Sequence, residues 1–203
     1  MTQGVAISCF IRAFVLNGSS LFLNAAREAS RPLTVEVEHG GVSCYDENGD
    51  LWIEEVPSKP PSHILNGFIY ALMGLFDLFS ITGDSHIEDI LKKGISTLGR
   101  NIHKYDSGFW SLYQLTPALF APLSYHDLHI RQLIFLYRIT KWQIFRDYAI
   151  KFNTYMKSQK NYLLSKTVGN ILYLNALFKM QRLHAFPYVL WRITDITTNK
   201  ILG

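Results

Sequence analysis

Apolar positions recur with a helical period in three stretches that resemble one another, residues 7–29, 67–91 and 131–149. In each, an apolar run fills one helix, a short break follows, and a second run of 3.6-residue period resumes. The breaks read Asn17-Gly18, Thr82-Gly83-Asp84 and Thr140-Lys141. Glycine supplies the left-handed backbone that stops a helix, and Asp84 has the chemistry to cap the next one. The third break lacks glycine and gives the weakest signal of the three. The units recur about every 60 residues, longer than most solenoid repeats. The extra length lies in two connections, residues 33–62 and 104–124. In the first, Val35 to Glu38 alternates like a strand, while Gly40–Tyr45, Asp46–Gly49 and Leu51–Ile53 read as a β-hairpin with its turn. Long ordered connections in a compact domain usually carry function.

Tandem helix pairs with long connections at one end predict a mainly α fold. The expected architecture is an (α/α) toroid or barrel-like domain, an inner ring of helices within an outer one, with short β-hairpins in the long loops. Three pairs close only part of such a ring, so the ring is expected to be incomplete and to leave an apolar flank. Residues 1–160 are assigned to this domain and 161–203 to a helical extension packed on it. Within the extension, Tyr162 to Leu183 is amphipathic, carries Lys166, Lys179 and Arg182, and stops before Pro187. The chain begins with Met1-Thr-Gln-Gly4, almost directly inside the first helix, which reads as a fragment, a truncated gene product or a remnant of a longer enzyme. A homodimer or preceding domains would complete it.

Apolar residues make up 48% of the chain and aromatic ones 14%, which excludes a disordered chain. The net charge of +4 suits an acidic ligand, and suits an ordinary protein surface equally well. No run of five basic residues occurs, so nucleic acid is not expected as a partner. Cys9 and Cys44 have neither metal nor redox spacing, and Cys9 falls in a helical apolar pattern that predicts burial. Arg12 interrupts the N-terminal apolar stretch, and no basic start precedes it, so a signal peptide is not expected. Ile64 to Ile81 is long and apolar, but Asn66 and Asp77 interrupt it. A buried helix explains it better than a membrane span, and membrane association is not expected. The compartment stays open.

Four motifs carry candidate chemistry. In Tyr125-His126-Asp127-Leu128-His129, Tyr125 and His129 are four apart and share a helix face. Such a pair can bind a ligand or transfer a proton, or simply hold loop backbone. The three-residue spacing of His126 and His129 has no third ligand beside it, so no metal is expected. Tyr105 to Tyr113 is rich in aromatics that could stack on a sugar, with Trp110 prominent among them, or could plug one end of the barrel. Strand alternation would put Phe109, Ser111 and Tyr113 on one side and Trp110 and Leu112 on the other. Glu54 and Glu55 are adjacent, so an extended chain points them to opposite faces, toward solvent or a groove. Asn66 could cap the following helix or reach a ligand. No phosphate loop, nucleophile elbow or Cys-His signature is present.

Taken together, Pro60 to Asp77, Tyr105 to Tyr113 and Tyr125-His-x-x-His-Ile-x-Gln-Leu133 resemble the C-terminal domain of the D-glucuronyl C5-epimerases. The similarity covers most of residues 1–160 and is nearest to compact bacterial members. It implies inversion at C5 of D-glucuronate to L-iduronate in a heparosan-type polysaccharide, without a cofactor. It implies Tyr113 and Tyr125 as catalytic residues. Glu55, Asn66, Tyr105, Trp110, His126, His129 and Arg131 are the implied substrate-binding positions. The implied partner is an acidic, glucuronate-containing polysaccharide. Two positions depart from the family pattern: Val56 stands where a further tyrosine is implied, and Thr116 where an arginine is implied.

Three other readings stay open at this point. A catalytically degenerate module would bind acidic polysaccharide without chemistry, as Val56 suggests. A polysaccharide lyase of the same fold would share the proton abstraction and then expel the C4 substituent. A hydrolase would need two opposed carboxylates, and no pair among Glu54, Glu55, Asp106 and Asp127 stands out.

Overall fold

The computed structural model describes residues 1–180, with the side chains of residues 1–171. Six helices form three successive pairs: α1 (Thr2–Asn17) with α2 (Ser20–Thr34), α3 (Leu65–Thr82) with α4 (Ser85–Asn101), and α5 (Leu123–Thr140) with α6 (Gln143–Met156). The first helices of the pairs also pack on one another in order, α1 on α3 and α3 on α5. The fold is therefore mainly α and built of tandem pairs, as the periodicity predicts.

The three links within pairs share one geometry. Gly18, Gly83 and Lys141 all adopt left-handed backbone, with φ of 72°, 61° and 59°. Each donates its N–H over 2.8 Å to the carbonyl four residues back, closing the first helix. The residue before each offers a side-chain oxygen to the N–H two positions on. Asn17 accepts from Ser19, Thr82 from Asp84 and Thr140 from Trp142. The third break thus has the same stop chemistry as the others, although a lysine must occupy a conformation that favours glycine. Asp84 caps α4 as expected, accepting from the N–H groups of His86 and Ile87.

Helix α3 is buried on most sides because it is the middle one, with Phe68, Leu72, Leu75 and Leu78 in the core. Leu65–Thr82 is also long and apolar enough to cross a membrane, yet 56% of it is buried inside the fold. Helices α1 and α3 meet backbone to backbone. A Cβ on Gly4 would collide with the Tyr70 carbonyl, and one on Gly74 with Gly4 itself. Cys9 lies on the opposite, exposed face of α1, contrary to the expected burial, because the apolar pattern there runs nearly all round the helix.

Each long connection carries one antiparallel hairpin, β1 (Ser43–Tyr45) with β2 (Leu51–Ile53), and β3 (Leu112–Leu115) with β4 (Ala118–Phe120). The first pairs Cys44 with Trp52 and turns on Asp46, whose carboxylate accepts from the N–H groups of Asn48 and Asp50. Val35 to Glu38 forms no strand of its own. Glu36 makes one bridge to Ser43, and Val37–His39 closes a 3-10 turn.

The last of the described helices, α7 (Gln159–Met180), packs on β4 and α6. It begins three residues before the expected Tyr162. Arg182, Leu183 and Pro187 lie outside the described residues. On the far side of the third pair, Ile130, Ile134, Tyr137 and Ile150 line an apolar groove of about 440 Å³ rimmed by Arg138 and Arg146.

Candidate functional site

A cleft of about 570 Å³ opens where the second hairpin meets α5 and α7. Tyr113 and Tyr125 both line it, with Phe120 and Pro122 beside them and Tyr162 and Lys166 contributed by α7. Local structure explains both tyrosines. Leu112 pairs with Phe120 and Gln114 with Leu119, so Tyr113 is the extra residue of a β-bulge. A bulge bends the strand and re-aims its side chain, which simple alternation does not anticipate. Tyr125 occupies the first turn of α5, where it and His126 donate their N–H groups to the Pro122 carbonyl at 2.9 and 2.8 Å. The two phenol rings meet edge to face with centroids 5.0 Å apart. Burial raises the Tyr113 pKa, and the negative charges of Glu55 and a Tyr125 phenolate raise it further. Its phenol is thus held protonated and suited to giving up a proton only to a strong acceptor.

Beneath the cleft lies a buried layer containing Trp110, His126 and His129, three of the positions expected to contact substrate. Trp110 is completely buried. Its Nε1–H donates to the Ala121 carbonyl at 2.8 Å, and its ring stacks on His126 at 3.8 Å. His126 donates from Nε2 to the Phe152 carbonyl, and its Nδ1 accepts from the Ser111 N–H. The Ser111 hydroxyl bridges His126 Nδ1 at 2.7 Å and His129 Nδ1 at 2.9 Å. Burial lowers the pKa of His126 to about 4. That of His129 falls to about 3, through burial and then the neighbouring His126. Both are neutral near pH 7. Trp110, His126 and His129 therefore position the hairpin and the start of α5 instead of facing the cleft. The expected alternation also fails here, since Trp110 and Ser111 are both buried. Tyr105 is likewise core, its hydroxyl donating to the His63 carbonyl at 2.8 Å. Arg131 is exposed and pairs with Asp127 one turn back, so intrahelical pairing has taken the place expected of a ligand.

The adjacent carboxylates have separate fates. Glu54 is buried, with Oε1 at 2.6 Å from His63 Nδ1 and Oε2 accepting the His63 N–H at 3.0 Å. It braces the approach to α3 and is neither solvated nor in a groove. Glu55 lies under Gly67, where any Cβ would strike its side chain. Its Oε2 is buried without a hydrogen-bond partner among the described residues, as are Asn66 Oδ1, Gln132 Oε1 and His129 Nε2. Asn66 is not a cap. The helix begins one residue earlier, with Ile64 at the capping position, and Asn66 is buried in the first turn. Its carbonyl accepts from Gln132 Nε2 at 3.1 Å, joining α3 to α5. Sequence reasoning names Gln132 only as a motif position and Tyr162 and Lys166 only as parts of an amphipathic helix, and expects no site role of them. The signals were present: Gln132 follows Tyr125 by seven positions on one helix face, and Tyr162 and Lys166 are four apart.

Tandem helix pairs with a tyrosine-lined cleft at the loop end define the kind of domain. Its family follows from sequence comparison. The family model of the D-glucuronyl C5-epimerase C-terminus matches residues 1–154, and the chain belongs to that family. D-glucuronyl C5-epimerase of Caenorhabditis elegans is 28% identical over 162 positions, covering 71% of this chain and 26% of that protein. Uncharacterized protein MJ1128 of Methanocaldococcus jannaschii is 29% identical over 154 positions, covering 74% of this chain and 50% of that protein. The chain thus spans half or less of the length of these relatives.

Proposed function

We propose that this domain inverts C5 of D-glucuronate units in a heparosan-type acidic polysaccharide, by removing the C5 proton and returning one on the opposite face. The observation that carries this reading is the meeting of Tyr113 and Tyr125 in one cleft, with rings 5.0 Å apart. The C5 proton is acidic because it is α to a carboxylate. One group takes the proton, the C–H electron pair moves into the carboxylate, and the resulting dianion takes a proton at C5 from the other side. Two acid/base groups are the minimum for this. Tyr113, held protonated by burial and by Glu55, is the proton donor. Tyr125 accepts the C5 proton and needs positive charge nearby to do so, because a phenol has an ordinary pKa of about 10.

The test is deuterium incorporation at C5 of heparosan in heavy water, followed by NMR. Incorporation that disappears in Tyr125→Phe and Tyr113→Phe supports the reading, and no incorporation by the wild-type chain sinks it. A binding-only domain is the second reading. Val56, where the family resemblance implies a tyrosine, is 54% exposed and cannot carry a proton. Calorimetric binding of heparosan without exchange would favour that reading. An unsaturated, ultraviolet-absorbing product would instead identify a lyase.

A further inference from the structure

Helix α7 begins beyond the family-matched residues, which end at 154, yet it forms one wall of the cleft. Among the described residues lining the cleft, Lys166 is the only cation. Its ammonium lies 4.7 Å from the ring centroid of Tyr162, one helical turn earlier, which holds the long side chain along the wall. No described carboxylate forms an ion pair with it. The rest of the described lining is aromatic, apolar or neutral, so among the described residues Lys166 is the one place in the cleft for an anionic group.

We infer that Lys166 is the carboxylate-binding residue of this cleft, and that the extension supplies the charge complement for a uronate held against Tyr113 and Tyr125. The inference rests on the proposed function and adds a specificity-determining position to it. A uronate carboxylate gains a second negative charge as the C5 proton leaves. An ammonium beside it favours that charge more strongly in the transition state than in the ground state. The same positive charge would stabilise a Tyr125 phenolate.

The experiment compares two probes, a heparosan oligosaccharide and its carboxyl-reduced form, on wild-type, Lys166→Ala and Lys166→Arg chains, with binding read by calorimetry and turnover by C5 deuterium exchange. The wild-type chain should prefer the acidic probe. Lys166→Ala should lose roughly ten- to a hundredfold in affinity for it while binding the reduced probe unchanged. Lys166→Arg should recover most of the loss. Equal weakening for both probes would mean that Lys166 only shapes the wall, and no weakening would mean that it does nothing; either result overturns the assignment. If the wild-type chain neither binds nor exchanges the acidic probe, the proposed function itself fails and takes the assignment with it. If the wild-type chain is active and Lys166→Ala is equally active, only the assignment fails. Thermal unfolding of each variant confirms that the exposed substitution leaves the fold intact.

Discussion

The two hairpins begin alike and end differently. Each stands on a buried tryptophan with its indole N–H satisfied, Trp52 by Asp46 and Trp110 by the Ala121 carbonyl. In the first hairpin burial continues: Leu51, Trp52, Ile53 and Glu54 are all buried, and Asp50 is tied to Arg100 and Asn101 at the end of α4. In the second, β3 and β4 are half-exposed, a bulge turns Tyr113 outward, and α7 stands off to leave a cleft. One connection is a plug and the other a wall. The difference lies partly in register: the first hairpin pairs without interruption and β2 is wholly buried, whereas the bulge in the second takes Tyr113 out of the pairing.

The sharpest test of this contrast is chemical. Tyr113→Phe should lower C5 exchange by about a hundred- to ten-thousandfold, as expected for removing one acid/base group, with little change in a urea-unfolding midpoint. Exchange that survives would leave the second hairpin without a catalytic tip. The reverse is expected in the first hairpin. Trp52→Ala should cost about 3–5 kcal/mol of stability by urea unfolding, through loss of a large buried ring. If it is tolerated with less than about 1 kcal/mol lost, the plug is not part of the core.

A third test separates the hairpins by pH. His126 and His129, under the second hairpin, are neutral in the fold with pKa near 4 and 3, against about 6.5 when unfolded. Between those values the unfolded chain binds more protons, so stability present above pH 6.5 is lost as pH falls through 6.5 toward 4. The slope is about 1.4 kcal/mol per pH unit for each histidine. Urea titrations at pH 7, 6 and 5 read it, and Ser111→Ala should weaken the hairpin anchor while leaving the sign of the slope unchanged. A flat profile would mean that these rings are not buried as neutral groups.

The smallest effect lies in the helical frame that both hairpins share. Lys141→Gly relieves a left-handed backbone and should raise stability by up to about 1 kcal/mol, whereas Gly83→Ala at the equivalent link should lower it by about as much. Thermal melts of the two variants would show opposite shifts. Shifts of the same sign would mean that the links are not equivalent.

Much of the frame was legible because its cause is local. Helical period, the Asn17-Gly18 and Thr82-Gly83-Asp84 stops, the Asp84 cap and the turn at Asp46 all depend on residues a few positions apart, and the structure has each of them. Lys141 was harder, since the lysine disfavours the very conformation that Thr140 and the pairing of α5 with α6 impose on it.

The site divides in the same way. The sequence alone marked Tyr113 and Tyr125, through motif and resemblance, and it determined which residue types were available for proton transfer. Only the tertiary structure decided which of the aromatic and imidazole groups reach the cleft. Trp110, Tyr105, His126 and His129 are apolar or half-apolar rings whose burial depends on what α5 and α6 bring against them, and His126 is closed off by the Phe152 carbonyl from 26 positions away. Glu54 and Glu55, identical in the sequence and adjacent in it, part company because His63 returns to one and Gly67 settles over the other. Lys166 joins the site by the packing of α7 on β4, a contact between segments distant in the chain. Local interactions act within a helical turn and can be read from spacing. Burial and charge complementarity are set by neighbours that only the folded chain supplies.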